Sequence, residues 1–253
     1  MRLFAPSHLP FFFALFACEQ PRTAGGGTPG AASAEVAAAP AAAPGSVEGV
    51  VRLVGPPPRD PPFKLSPTVE RECGKELPDR SLVVGGEGAI EGVVVSIDAP
   101  PAPGGLEQVV VDQRRCAFVP VVSAARAGGQ VVIRNSDPLI HNVRADVDVR
   151  QLFNVGMPLE GMSMKKPLPR APSIVDLRCD IHTWMHAWVK TFDHPYFTVT
   201  GPDGRFRIPQ APSGRQRVVF WHPRLGEKEA QVEVASGKLV TQDLAWRLPA
   251  TAP

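Results

Sequence analysis

Leu177-Arg178-Cys179-Asp180-Ile181-His182-Thr183-Trp184-Met185-His186 is the stretch whose reading decides the fold. It sets a thiol, an imidazole and a thioether at C-x2-H-x2-M spacing. One tight loop can aim all three inward, because a turn brings its side chains to one side. Upstream, Arg134-Asn135-Ser136-Asp137-Pro138-Leu139-Ile140-His141-Asn142-Val143 supplies another imidazole, 38 residues before Cys179. A thiolate and two imidazoles in a plane, with a weak axial thioether, form the donor set of a one-electron copper site. Soft sulfur favours Cu(I), imidazole suits both oxidation states, and a geometry acceptable to both lowers the rearrangement on electron transfer. Singly, these residues say little: a loop His is usually a surface residue, a lone Cys a structural thiol, a Met core packing. Their joint pattern leads us to expect one copper ion held by His141, Cys179, His182 and Met185.

Two other metal readings stay open. Cys179, His182 and His186 also spell C-x2-H-x3-H, which with His141 would make a tetrahedral zinc site. Met157, Met162 and Met164 could offer thioethers on a Cu(I)-carrying surface, or simply apolar cover. His194 and His222 read as structural or exposed residues.

These phrases resemble the cupredoxins over roughly residues 106–194, in particular those of the amicyanin and plastocyanin type and the methylamine-utilization-type proteins. The resemblance rests on Gly128-Gly129-Gln130-Val131-Val132-Ile133-Arg134-Asn135, on N-S-D-P-x-x-H-N-V, on C-D-x-H-x-W-M and on Asp193-His194-Pro195-Tyr196-Phe197. It implies a Greek-key β-sandwich, the four ligands already named, and an outer contact from Asn142 to the Cys loop. One position departs: Val121 follows the Pro of Cys116-Ala117-Phe118-Val119-Pro120, where such relatives often carry His. The second His ring of such loops reaches the surface, so Trp184 and Ile181 are expected to form an exposed apolar rim where a redox partner protein docks.

Beyond residue 195 the pattern changes. Phe206 and Ile208 alternate with Arg205 and Arg207 after a Pro202-Asp203-Gly204 turn, and Val232 and Val234 alternate with Gln231 and Glu233, the mark of half-buried strands. Asp203 to Gly214 resembles the "D-G-x-F-x-[IVL]-x-x-x-P-x-G" phrase of carboxypeptidase-regulatory-like β-sandwiches. The earlier strands of that family have candidates only far upstream, within 47–54 and 89–97. The expected class is therefore all-β: a cupredoxin sandwich at 106–194, inserted into a smaller regulatory-like sandwich made of 47–105 and 195–253. Two consecutive domains are the alternative.

The N-terminus reads as an export signal. Arg2 precedes the apolar run of residues 9–17, LPFFFALFA, and Leu15-Phe16-Ala17-Cys18 resembles a lipobox whose Cys becomes lipidated. Residues 1–18 are set aside as a lipoprotein signal peptide ending in Cys18. Residues 19–46 hold ten Ala, five Gly and four Pro, too little apolar bulk for a core. They read as a disordered tether with a reach of about 30 Å. If Cys18 is acylated and Cys179 binds metal, Cys73 and Cys116 remain to pair. Export permits a disulfide, which would close a loop of roughly 44 residues and contribute about 4 kcal/mol. Two buried free thiols are the alternative.

With 253 residues, 29 Pro, 23 Gly and one Tyr, the chain suits short strands and turns. A net charge of +2 and no basic run with interleaved aromatics point away from nucleic acid. No G-x-S-x-G, phosphate loop or H-E-x-x-H is present, so an enzyme is not expected. The sequence reads as an electron carrier, lipid-anchored at the membrane on the periplasmic side of a bacterial envelope. A copper- or zinc-delivery protein without a redox cycle is the alternative.

Overall fold

Gln130-Val131-Val132-Ile133-Arg134-Asn135 is short and β-branched, which suits a pleated strand better than a helix. In the computed structural model, which describes residues 43–105 and 107–248, it forms the strand Gln130–Asn135 in a sheet ordered Ser163–Pro167, Gln130–Asn135, Gln108–Arg114, Ala117–Val119. The facing sheet runs Arg150–Met157, His141–Val147, Ile174–Arg178, His186–Phe192, Val122–Arg126. Val111, Phe118, Ile133, Val143, Val175 and Leu177 fill the space between them. Each such side chain, fully buried, stabilises the sandwich by about 1.5–3 kcal/mol. Cys179 and Met185 belong to the same buried cluster, so the ligand loop caps this core at one end.

The other sandwich draws on both ends of the described chain. Gly45–Val54 lies between Arg205–Ala211 on one side and Leu239–Thr241 and Leu244–Arg247 on the other. Val94–Ile97 lies between Phe197–Val199 and Gly214–His222, with Gly226–Val234 at the edge. The sandwich that carries His141 and Cys179 is thus looped out between Val94–Ile97 and Phe197–Val199. Phe206 and Ile208 point into the core while Arg205 and Arg207 face solvent. Gly204 sits at φ 70°, where a Cβ would come 2.5 Å from the Val51 carbonyl oxygen; only glycine lets this turn approach the neighbouring strand.

Residues 55–82 leave the sheets and fold over the ligand end. They carry the short pair Phe63–Lys64 with Glu76–Leu77 and the one-turn helix Glu70–Cys73. Arg224 clamps the base of this segment with two bonds to the Asp60 carboxylate, 2.5 and 2.8 Å. Cys73 and Cys116 are joined as a disulfide, one of the two arrangements left open by the sequence. Leu65, Leu77, Leu139 and Trp184 pack around it.

The signal segment, Cys18 and residues 19–42 of the expected tether lie outside the described residues. The strand Gly45–Val54 begins two residues inside the span expected to be tether, because Gly45 and Val47 already pair with Arg205–Ala211. Among the described residues, no helix is long and apolar enough to cross a membrane.

Candidate metal centre

Residues 179–185 join Ile174–Arg178 to His186–Phe192, which pair antiparallel with Arg178 opposite His186. Two backbone bonds cinch the loop: Cys179 N–H to the Met185 carbonyl, 3.3 Å, and Met185 N–H to the His182 carbonyl, 2.9 Å. The His182 N–H also points at Cys179 Sγ, 3.3 Å away. His141 opens the neighbouring strand His141–Val147. Its approach is held by Asn135, whose amide nitrogen donates to the carbonyls of Leu139 and Met157, both at 2.9 Å.

These elements bring His141, Cys179 and His182 together, their donor atoms all within 4.8 Å of one another and all buried. His141 Nδ1 is 2.9 Å from His182 Nδ1, and Cys179 Sγ is 3.8 Å from the latter. Met185 is 1 % exposed in the same cluster. Bonds of about 2.0–2.3 Å to one ion would set such donors on the order of 3.5 Å apart. The residues fit a copper ion by position and by chemistry.

Asp137 decides the tautomer. Its carboxylate lies 3.0 Å from His141 Nε2, which must carry the proton to donate to it. In the metal-free protein His141 Nδ1 can carry a proton toward Cys179. Once that proton leaves, as metal binding requires, the Nδ1 lone pair faces inward, toward His182 and Cys179. The N–H groups of Arg115 and Cys116 donate to the two Asp137 oxygens at 2.6 and 2.8 Å. Burial would raise the Asp137 carboxyl, but His141 and these two amides hold it below its ordinary value. Burial likewise disfavours a charged His141, yet its bonds to Asp137 and Cys179 raise it. At Cys179, burial pushes the thiol up, while hydrogen bonds from His141, His182 and the backbone N–H groups of Asn142 and His182 bring it down to about 6. A thiolate at neutral pH is what a metal ligand needs.

Asn142 stands where the outer contact was expected. Its Oδ1 accepts from the N–H groups of Asp180 and Ile181 at 2.7 and 3.3 Å and lies 3.4 Å from Cys179 Sγ. Its Nδ2 donates to Asn154 and Asp180, so one side chain ties the His141 strand to the start of the ligand loop.

The zinc-like set is not assembled. His186 Nε2 is bonded to Asp176, and its ring lies 3.8 Å from that of Trp188, centroid to centroid. Among the described residues it does not join the His141–Cys179–His182 group. Met157 is core, and Met162 and Met164 pack against it as apolar cover. His194 and His222 are buried, each accepting a backbone N–H at Nδ1, and burial together with the Arg224 charge lowers His222 to about 4.

Trp184 departs from the expected exposed rim. It is half-buried, its indole N–H donates to the Cys116 carbonyl at 2.9 Å, and its ring lies 5.1 Å from that of His182. The reason is the 55–82 segment, which covers this side. The exposed apolar residues beside the ligands are instead Ile140, 52 % exposed, and Ile181, 48 %. Trp184 lines a cleft of about 600 Å³ together with Trp188, Phe118, Arg80 and Arg115. Sequence reading missed the Asp137–His141 pair; the signal was an Asp four residues before the His.

No protein-family description matches this chain, and no curated protein does. Solved structures similar to part of this chain include a copper-containing nitrite reductase, an amicyanin and a purple cupredoxin. A copper-containing nitrite reductase from Thermus scotoductus SA-01 is 21 % identical over 37 % of this chain, with a TM-score of 0.29. The match covers 25 % of the reductase, so this chain spans about a quarter of its length. A reduced amicyanin variant is 20 % identical over 39 % of this chain and 98 % of its own, with a TM-score of 0.30. A purple cupredoxin from Nitrosopumilus maritimus is 21 % identical over 34 % of this chain and 98 % of its own, with a TM-score of 0.29.

Proposed function

We propose that this protein holds one copper ion at His141, Cys179, His182 and Met185 and carries single electrons. The observation that carries the reading is the convergence of three buried donor atoms within 4.8 Å, with Met185 buried beside them. Bound there, copper would supply a one-electron couple. The chain's own work is to keep the donors in place through both oxidation states. Asn142 and the two backbone bonds hold the loop, Asp137 fixes the His141 tautomer, and the surrounding core excludes water. Ile140 and Ile181 offer a small apolar rim beside His182 for brief contact with a redox partner protein. We assign no catalytic step, because four protein donors leave no open position for a substrate. We further propose anchorage by lipid at Cys18 on the periplasmic side of a bacterial envelope, with the second sandwich a regulatory-like scaffold.

Copper titration of the full exported chain tests this. One equivalent should produce an intense visible band from thiolate-to-Cu(II) charge transfer, and Cys179→Ser should abolish it. A colourless protein that takes up zinc in preference would overturn the reading.

A further inference from the structure

Both imidazole ligands are braced through a single residue outside the ligand set. The Cys116 N–H donates to Asp137 at 2.8 Å, and Asp137 accepts from His141 at 3.0 Å. The Cys116 carbonyl accepts from the Trp184 indole at 2.9 Å, and the Trp184 ring packs against His182. The amide of Cys116 therefore serves one ligand and its carbonyl serves the other.

The backbone at this point does not hold its shape unaided. Arg115 and Cys116 form the two-residue connection between Gln108–Arg114 and Ala117–Val119, with φ of 53° and 57°. Such a turn favours Asn-Gly, because consecutive left-handed residues are strained when they bear side chains. Two features hold it: the Asp137 carboxylate, which takes both amides, and the disulfide to Cys73. The disulfide also ties down the 55–82 segment against Trp184.

We propose that the Cys73–Cys116 disulfide is a thiol-controlled positioning device for the metal centre, the oxidised form being the one that binds metal tightly. The inference rests on the copper reading of the site. In the cell the reductant would be a dithiol protein. Its thiolate attacks one sulfur, the Cys73–Cys116 bond breaks, and a second attack closes the disulfide on the reductant. Two electrons and two protons pass to Cys73 and Cys116, which become thiols. Freed from Cys73, the strained turn relaxes, Asp137 loses its two amides and His141 its fixed tautomer. Trp184 loses its cover at the same time. Removal of outer partners of this kind typically costs 10–100-fold in metal affinity.

The test compares the full chain with the pair Cys73→Ser/Cys116→Ser, with Asp137→Asn, and with all three changes together. Copper affinity is measured by chelator competition. The serine pair should bind copper at least about 10-fold more weakly, Asp137→Asn should lose a similar factor, and the triple variant should lose little beyond either. Affinity of the serine pair within about twofold of wild type, or losses that multiply in the triple variant, would overturn the proposal. A second readout uses metal-free protein. The His141 Nε2–H resonance should be protected from exchange in wild type and unprotected in the serine pair, and equal protection overturns the proposal. If the serine pair does not fold, metal-free wild type reduced with a dithiol takes its place in the exchange readout, and equal protection of His141 Nε2–H before and after reduction overturns the proposal. Failure of wild type to give a thiolate–copper band would instead overturn the function proposed above, and the metal-free readout would still judge the coupling.

Discussion

Truncating Asn142 to Ala should damage the metal centre and the fold together, by an amount the geometry allows to be estimated. The side chain accepts from the Asp180 N–H at 2.7 Å and from the Ile181 N–H at 3.3 Å. A donor left without its partner costs about 1–3 kcal/mol where water cannot replace it. Asp180 and Ile181 are exposed, so water relieves part of the loss, and the longer Ile181 bond contributes at the low end. We expect about 2–3 kcal/mol in all. At about 2–4 °C per kcal/mol for a chain of this size, Tm should fall by roughly 5–10 °C. Copper affinity should fall about 10–100-fold, because the Cys179 end of the loop loses its tie to the His141 strand. The assay is thermal unfolding by near-ultraviolet circular dichroism, with and without copper, beside chelator competition. Asn154→Ala is the control: it removes an exposed partner of Asp180 and of the Asn142 amide nitrogen, leaves the bonds from the Asp180 and Ile181 N–H groups in place, and should cost under about 1 kcal/mol. An Asn142→Ala protein melting within about 1 °C of wild type, with unchanged affinity, would refute the assignment of Asn142 as the tie between strand and loop.

Three further outcomes are expected. His186→Ala should keep copper affinity within about threefold and keep the visible band, since His186 is engaged by Asp176 and Trp188; loss of metal would restore the zinc-type set. In metal-free protein, the ultraviolet absorption of the Cys179 thiolate should rise with a midpoint near pH 6, and a midpoint near the ordinary thiol value of about 8.5 would refute the hydrogen-bonded thiolate. Because the folded value is depressed, its contribution to stability is full above the unfolded value of about 8.5 and is lost as pH falls through about 6. Residues 195–253 expressed alone should show no cooperative unfolding, since both of their sheets lack a strand that lies between two others, Gly45–Val54 and Val94–Ile97; a sharp transition would show that the fragment is self-sufficient.

How much of this was legible follows from how local each feature is. Cys179, His182 and Met185 announced themselves because one seven-residue loop carries all three, and only His141 had to be found at a distance. Phe206 and Ile208 could be placed inward because a strand alternates its faces whatever it pairs with. The same alternation separates His186 from Met185. His186 opens the strand after the loop and turns to the Asp176 side, although adjacency in sequence made it look like a ligand. Trp184 was misplaced because its exposure depends on residues 55–82, more than a hundred positions earlier. Nothing in its own neighbourhood reports that a segment stapled by Cys73 covers it. Asp137 stood in plain view, but within Asn135-Ser136-Asp137-Pro138 an Asp reads as a turn former, and its bond to His141 appears only when the loop closes. The least legible contacts are those of Cys116, because its amide and carbonyl are groups that almost every residue possesses. Their roles come from a turn held at φ values that Arg and Cys do not favour. That cost argues for a role in the site: a two-residue hairpin has unstrained solutions in Asn-Gly, and the strained one retained here is the one that allows the disulfide.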